Sequence, residues 1–433
     1  MRSIKFSLSK KPPTEWNGWD TAVYLVEGYL SAKLKADQVL ENLPREFVGQ
    51  ERSRCQSLFL GALRHGHRTR RACQPLLRKQ PQARVEAVLL VAGFEINDES
   101  VERHPKVVHH AVERSKGMLR ASEQGFLNAV LRKLPSQIEA LRASDDLAAR
   151  HSHPDWLVQN WVDTFGTQDT EELLEWNQQI PHFYFKTNAM EGHLPSCLSP
   201  TEWPGFYCVD TKRDWKADLL PLINRGIAYF KDPSTRMAPG LLAPQAGEQV
   251  LDLCAAPGGK AFDLAHTMEH KGTLVAVDLP CARIARLRTN LSTLETNTFR
   301  CNILESDLLK LDKNRFEQAT LPSRYDAVML DAPCSNTGVI QRRTDVKWRL
   351  QMGDIEDCAR LQHSLLAKAA EFVKEDGRIV YSTCSIETAE NRDVINAFLA
   401  SEQGRTFALS EESISLPWKT GHDGAGAFLL RKK

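Results

Sequence analysis

Two cysteines stand where a parallel sheet would present them to a ligand. Cys334 lies in DAPCSNTG, directly after the apolar run Asp326–Leu330, and Cys384 lies in YSTCS, directly after Arg378–Tyr381. Short apolar runs bounded by turn residues read as buried strands. Loops that follow the strands of a parallel sheet open on one shared edge. Thiols 50 residues apart in the chain are therefore expected to face one pocket. The plainer expectation is two inert core thiols, since free cysteine is among the most buried residue types. Their places at two strand ends, flanked by Ser335, Ser382 and Ser385, count against it. A thiolate on such an edge can form and release a covalent intermediate.

A ligand for that edge is written into Leu251–Lys260, LDLCAAPGGK. The segment reads as strand, tight turn and helix start, and Gly258 and Gly259 permit a close backbone approach. Asp278 ends the apolar run LVAVD, where a doubly wound sheet accepts hydrogen bonds from a ribose diol. Asp307 closes a short polar segment, and Asp331 ends a fourth strand, Asp326–Leu330. No G-x-G-x-x-G or G-K-[ST] pattern follows, so the ligand reads as a nucleoside without a pyrophosphate. S-adenosylmethionine fits that description. The expected cofactor contacts are Cys254, Ala255, Ala256, Pro257, Gly258, Gly259, Lys260, Asp278, Asp307 and Asp331.

A thiol beside a methyl donor narrows the acceptor. An oxygen or amino nitrogen already carries the lone pair that attacks a methyl group and needs only positioning. The C5 carbon of a pyrimidine is too weak a nucleophile. A thiolate adding to C6 raises the electron density at C5 and splits one difficult step into easier ones. Asp331 is placed to give a proton at N3 of such a base. A base handled in this way must leave its stack, so a loop, bulge or partly unfolded RNA is expected.

The elements that position these groups follow from the rest of the chain. At 433 residues it should hold two or three domains. No apolar run approaches the ~20 residues needed to span a membrane, and the basic start MRSIKFSLSKKPPTEW lacks the apolar core of a secretory signal. Ten cysteines without a C-x-x-C pair point to a reducing, cytoplasmic setting and to no metal. Residues 1–150 carry a balance of +8 and the remainder −7. Between Glu51 and Glu86 there is no acid, while nine Lys and Arg fall there, among them Arg64, Arg68, Arg70 and Arg71. Such a stretch is expected to meet RNA phosphates, against the alternative of a solvated helix face.

From Trp19 to about Leu134 the pattern is helical, with breaks at Pro44, Gly66, Gln80–Pro81 and Asn97–Pro105. Leu157 to Asn177 reads as a helix pair. Phe183–Thr187 and Gly226–Lys231 read as strands, with a turn from Asn188 through Gly192–Pro200. From about residue 240, strands at Val250–Leu253, Leu274–Val277, Asp326–Leu330 and Arg378–Tyr381 alternate with helices. Ala425–Leu430 is expected as an edge strand.

The runs HHAVERSKGMLRASEQGFLNAVLRKL and HSHPDWLV, together with DAPCSNTG and TCS, resemble the bacterial RNA cytosine-5 methyltransferases of the Sun/Fmu (RsmB) family. The resemblance covers most of the chain. It implies a multidomain protein: an all-α NusB-like RNA-binding bundle over 15–150, a small α+β module over 151–239, and an α/β Rossmann-like S-adenosylmethionine-dependent catalytic domain over 240–433. It implies Cys384 as nucleophile and Cys334 as the thiol that assists product release. DNA cytosine methyltransferases use the P-C cysteine and lack the second. QRRTDVKWRL resembles the family's Arg-Arg-x-x-Asp-x-Lys-Trp segment, and Gln362 and Glu390–Asn391 also fall at family places; substrate contact and fold support are both open for them. Lys186 and Lys231 stand where the family has Arg and Gln, and Lys186 and Arg342 are expected near RNA. The expected activity is methylation of C5 of a cytosine in small-subunit (16S) ribosomal RNA by a monomer. The alternatives are the same chemistry on tRNA or large-subunit RNA, and a non-catalytic RNA-binding assembly factor.

Overall fold

A helix of the amino-terminal region begins where Asn17 supplies a cap, its Oδ1 accepting from the amides of Trp19 and Asp20 at 2.9 and 3.1 Å. That helix, Gly18–Ala32, buries Trp19, Ala22, Leu25, Val26 and Tyr29, which the helical period brings to one side. In the computed structural model the described residues are 16–32, 34–43, 47–187 and 194–433. The expected break at Pro44, the turn at Asn188–Gly192 and the basic start lie outside them. Contacts gather the chain into two units, residues 1–179 with Ile340–Leu350, and residues 180–339 with Gln351–Lys433.

The first unit is all helical. The 25-residue helix Gly49–Cys73 packs against Ala83–Asp98 and Gly18–Ala32, and one apolar cluster runs from Trp19 to Ile138. Helices Asp155–Phe165 and Thr167–Gln178 belong to this unit too, so the expected 151–239 piece is divided.

Its least expected member is Ile340–Leu350, donated from deep in the carboxyl-terminal half. Trp348 donates from Nε1 to the Leu63 carbonyl at 2.7 Å, and its ring occupies the space a side chain at Gly66 would need. Lys347 is 2% exposed, and its Nζ donates to the carbonyls of Arg64 and Ser152 at 2.5 and 2.6 Å. Burial, then the charges of Arg64 and Arg68, hold its ammonium well below the usual lysine range. The Lys-Trp part of this motif is thus structural support. Lys347→Met keeps the side chain's bulk and strands two buried carbonyls. It is expected to destabilise the helical unit by about 1–3 kcal/mol, read as a lower midpoint of its thermal transition. An unchanged midpoint would mean that the two hydrogen bonds contribute nothing net.

The second unit holds two sheets. The strands of the smaller are β1 (Tyr184–Thr187), β2 (Leu198–Pro200), β3 (Phe206–Val209) and β4 (Ala228–Phe230), ordered β2-β3-β1-β4 and antiparallel throughout. The larger has β5 (Gln249–Leu253), β6 (Gly272–Asp278), β7 (Phe299–Glu305), β8 (Tyr325–Asp331), β9 (Val373–Thr383), β10 (Phe407–Ser415) and β11 (Ala425–Lys432), in the order β10-β11-β9-β8-β5-β6-β7. The five strands from β9 to β7 are parallel, and β11 and β10 close one side antiparallel. This is the doubly wound architecture expected, with one correction. Ala425–Leu430 pairs on both sides, and the edge belongs to β10, whose sequence FALSEESIS is half polar. Between β6 and β8 the order reverses about β5, which sets the ligand edge at the carboxyl ends of β5, β6 and β8.

Candidate active site

The turn after β5 is held open by its neighbours. Cys254 and Gly258 have φ of +60° and +96°, and a side chain at Gly258 would meet Leu287 Cδ1 at 2.9 Å. The Ala256 amide donates to Asp278 Oδ2 at 2.8 Å, and Asn290 donates to the Pro257 carbonyl at 2.7 Å. Asp278 at the end of β6 is buried, with Oδ1 accepting from the Leu279 amide at 2.7 Å. The Ser306 amide donates to the Asp278 carbonyl at 2.9 Å, which places Asp307 beside it. Asp307 caps the short turn that follows, accepting from the Leu309 amide at 3.1 Å. Cys254 is a sheltered thiol, pushed up to about 12 by burial, then by the charges of Asp278, Asp331 and Asp252.

S-adenosylmethionine fits these groups. Asp278 and Asp307 offer carboxylates for a ribose or base, the loop 254–259 offers backbone, and Asp252 lies buried beneath it with both carboxylate oxygens lacking a hydrogen-bond partner. Asp252 was not among the expected contacts. An acid inside the apolar run of β5 was the available signal. Burial first, then the charges of Asp331 and Asp278, push it up to about 8 against the pull of Lys260. The folded chain therefore keeps a proton that the unfolded chain gives up near pH ~4, and stability falls as pH rises through the interval up to the folded value. Asp252→Asn is expected to raise the thermal midpoint more at pH 8 than at pH 5. A gain that does not grow with pH would assign the proton elsewhere.

At the end of β8 the Asp331 carboxylate pairs with Lys260, and Ser382 Oγ donates to Asp331 Oδ1 at 3.0 Å. Burial lowers Lys260, but Asp331 outweighs it and holds the ammonium above its usual range; Cys384 adds to the same effect. The sulfurs of Cys334 and Cys384 lie 3.1 Å apart. Asn336 spans them, its Nδ2 donating to the Cys334 carbonyl at 2.6 Å and its Oδ1 facing the Cys384 sulfur at 3.4 Å. Cys334 is pushed well up, first by its contact with Cys384, then by burial and by the charges of Cys384 and Glu390. The strand ends thus bring together Lys260, Asp331, Cys334 and Cys384, as their places in the sequence suggested. Asn336 carries no signal in the sequence beyond its position between Cys334 and the glycine that follows.

The basic stretch divides. Arg64 and Arg68 are 6% and 7% exposed, which corrects the expectation that they meet phosphates. Arg64 donates to the Gln341 carbonyl at 2.9 Å; Arg68 donates to Asn97 and to the carbonyls of Ala149 and Arg150. Burial lowers both to about 10. Arg70 pairs with Glu86 and lies 4.3 Å over the Trp348 ring, and Arg71 pairs with Asp146 and Asp155. Together with exposed Arg78 and Lys79 of the same stretch, they line a cleft of about 580 Å³. Lys186 is half-buried and donates to the Pro204 carbonyl at 3.3 Å; Arg342 is half-buried in the donated segment. Lys231, its side chain 7% exposed, is paired with Asp263. Of metal-ligating side chains, His151, Glu171 and Glu175 bring ligand atoms within 4.8 Å of one another, but Glu171 is already paired with Arg150.

Residues 239–419 match the family model described as 16S rRNA methyltransferase RsmB/F, and residues 21–135 match the NusB family. Over 95% of its length the chain is 30% identical to ribosomal RNA small subunit methyltransferase B of Salmonella newport, covering 97% of that protein. The protein of the same description from Proteus mirabilis is 29% identical over 97% of this chain and all of its own. Among solved structures, PH0851 superposes with a TM-score of 0.75 at 21% identity, over 98% of this chain and 100% of that one. A methyltransferase homolog from Pyrococcus horikoshii superposes with a TM-score of 0.54 at 25% identity, over 66% and 98%.

Proposed function

From its membership of the 16S rRNA methyltransferase RsmB/F family, to which the chain belongs, we propose that the protein methylates C5 of a cytosine in small-subunit ribosomal RNA through a covalent cysteine adduct. The family is S-adenosylmethionine-dependent; when bound, the cofactor supplies an electrophilic methyl group on a sulfonium. Residues 254–259 with Asp278 and Asp307 would hold it. Cys384 adds to C6 of the base, and the electron pair displaced from the C5–C6 bond makes C5 the nucleophile. Asp331 gives a proton to N3, where negative charge would otherwise build as the adduct forms, and Lys260 and Ser382 hold the carboxylate left behind. After methyl transfer Cys334, as the thiolate, takes the C5 proton, the C5–C6 double bond re-forms and the Cys384 sulfur is expelled.

The observation that carries the reading is the pair of sulfurs 3.1 Å apart at the ends of neighbouring parallel strands, next to the Lys260–Asp331 pair. A methyltransferase acting on a nitrogen or oxygen has no use for either thiol. The cleft lined by Arg70, Arg71, Arg78 and Lys79 is the proposed seat for RNA backbone. Labelled cofactor with unmodified small-subunit RNA, tRNA and large-subunit RNA tests all of this in one assay. Label recovered as 5-methylcytidine from small-subunit RNA is expected. Label recovered as another nucleoside would overturn the chemistry, and label in another RNA alone would overturn the substrate.

A further inference from the structure

Glu390 is fully buried, in the short turn Thr388–Glu390 that follows the Cys384 loop. Such a carboxylate is costly to bury unless its lone pairs are filled. Here they are. Oε2 accepts from the Ser335 amide at 2.9 Å and from Gln362 Nε2 at 2.8 Å; Oε1 accepts from Ser385 Oγ at 2.7 Å and from Ser335 Oγ. Ser335 is the residue after Cys334, and Ser385 is the residue after Cys384. The two serine hydroxyls also lie 3.3 Å apart, and Thr337 Oγ1 lies 3.1 Å from Ser385 Oγ.

We propose that Glu390 is a positioning residue for the thiol pair: its one carboxylate ties the loop bearing Cys334 to the loop bearing Cys384 and so sets the contact between the two sulfurs. The two loops come from different strands, and they are also linked by the Gly338 amide to the Cys384 carbonyl at 3.1 Å, by the Ile386 amide to Thr337 Oγ1 at 3.2 Å and by Asn336 at the Cys384 sulfur. Those fix the height of one loop on the other. The Glu390 bonds fix the residues immediately beside the sulfurs. Gln362 anchors the carboxylate in turn, and its Nε2 also donates to the Pro333 carbonyl at 3.0 Å, on the other side of Cys334. The charge of Glu390 is among the influences that favour the neutral thiol at Cys334. A glutamine would keep the shape, but its NH2 would face the two serine hydroxyls, which now donate to a charged oxygen and would have to turn and accept from a neutral amide. A weaker clamp is the expected result.

The consequence for catalysis rests on the proposed two-thiol chemistry; the sulfur contact itself can be read without RNA or methyl donor. An azodicarboxamide oxidant serves as the ruler. One thiolate adds to its N=N bond, the second sulfur displaces the first adduct, a disulfide forms, and the oxidant leaves as the hydrazine. Closure of Cys334–Cys384 is followed by peptide mass spectrometry, with iodoacetamide labelling of exposed Cys281 as the internal reference. Glu390→Gln is expected to slow closure about tenfold, the scale of one lost charge-assisted hydrogen bond, with Cys281 labelling unchanged. Ser385→Ala, which removes a single arm, gives a smaller slowing and keeps the test open should Glu390→Gln fail to fold. In the methylation assay, kcat falls while KM for RNA and for cofactor holds. Closure at the wild-type rate in a folded Glu390→Gln, or in Ser385→Ala where Glu390→Gln does not fold, overturns the positioning role whatever the fate of the methylation assay. Slowed closure with no methylation by wild type leaves the clamp standing and rejects the chemistry.

Discussion

Cys384→Ala is expected to reduce methyl transfer by a factor on the order of 10⁴ or more, the scale seen when a covalent nucleophile is removed. Binding of cofactor and RNA should be unaffected. Loop 254–259, Asp278 and Asp307 do not depend on the sulfur, and the cationic cleft belongs to the other unit. The backbone at Cys384 is held by groups that alanine retains, including the Gly338 amide on its carbonyl. What is lost is the thiol that the proposed chemistry uses to attack C6. Cys334 does not replace it easily, because burial and Glu390 still favour its neutral thiol after Cys384 has gone. Single-turnover transfer of labelled methyl, measured beside filter binding of the same RNA, separates the two effects. Activity within tenfold of wild type would move the nucleophile to Cys334 or reject covalent catalysis.

The cofactor turn was legible because its chemistry is local: strand, glycines and lysine occupy ten consecutive residues. The meeting of the thiols was legible through topology, since successive parallel strands end on one edge. Edge strands were harder. Residues 299–305 (FRCNILE) and 407–415 (FALSEESIS) are largely polar on their open sides, so hydrophobic periodicity is weak there, and β10 was missed. Counting charges failed at Arg64 and Arg68. Four residues apart on the helix Gly49–Cys73, they share its buried face, where backbone carbonyls and Asn97 receive them; Arg70 sits farther round, and Arg71 follows on the same face in the helix's last turn. A charge tally has no view of which face a tertiary partner covers. The destination of Lys347 was hidden for a similar reason, because its partners lie nearly 200 residues or more away. Glu390 was visible as a motif member, but its role needed both loops in place.

Cys334→Ala is expected to give a protein that adds to RNA and methylates it but stays attached. In the resting site, two of the influences that push Cys334 up come from Cys384, through their contact and through its charge. Both vanish once the Cys384 sulfur is bonded to C6. Burial and Glu390 remain, so the thiol does not become strongly acidic, yet it becomes easier to ionise at the stage when a base for the C5 proton is needed. A thiol 3.1 Å from the attacking sulfur is within reach of the substituents on the carbon next to C6. In this reading Cys384 holds Cys334 in reserve and releases it by being consumed. Removing Cys334 should slow the final elimination by about 10²–10⁴-fold, the usual worth of a positioned base, while leaving the first methyl transfer near its normal rate. The measurement is a denaturing gel of enzyme with labelled cofactor and RNA. A protein–RNA band that carries methyl label, grows to near one per enzyme, and is absent from the Cys384→Ala/Cys334→Ala double variant is the expected result. A trapped band without methyl label would place Cys334 before methyl transfer, and wild-type turnover with no band would remove it from the reaction.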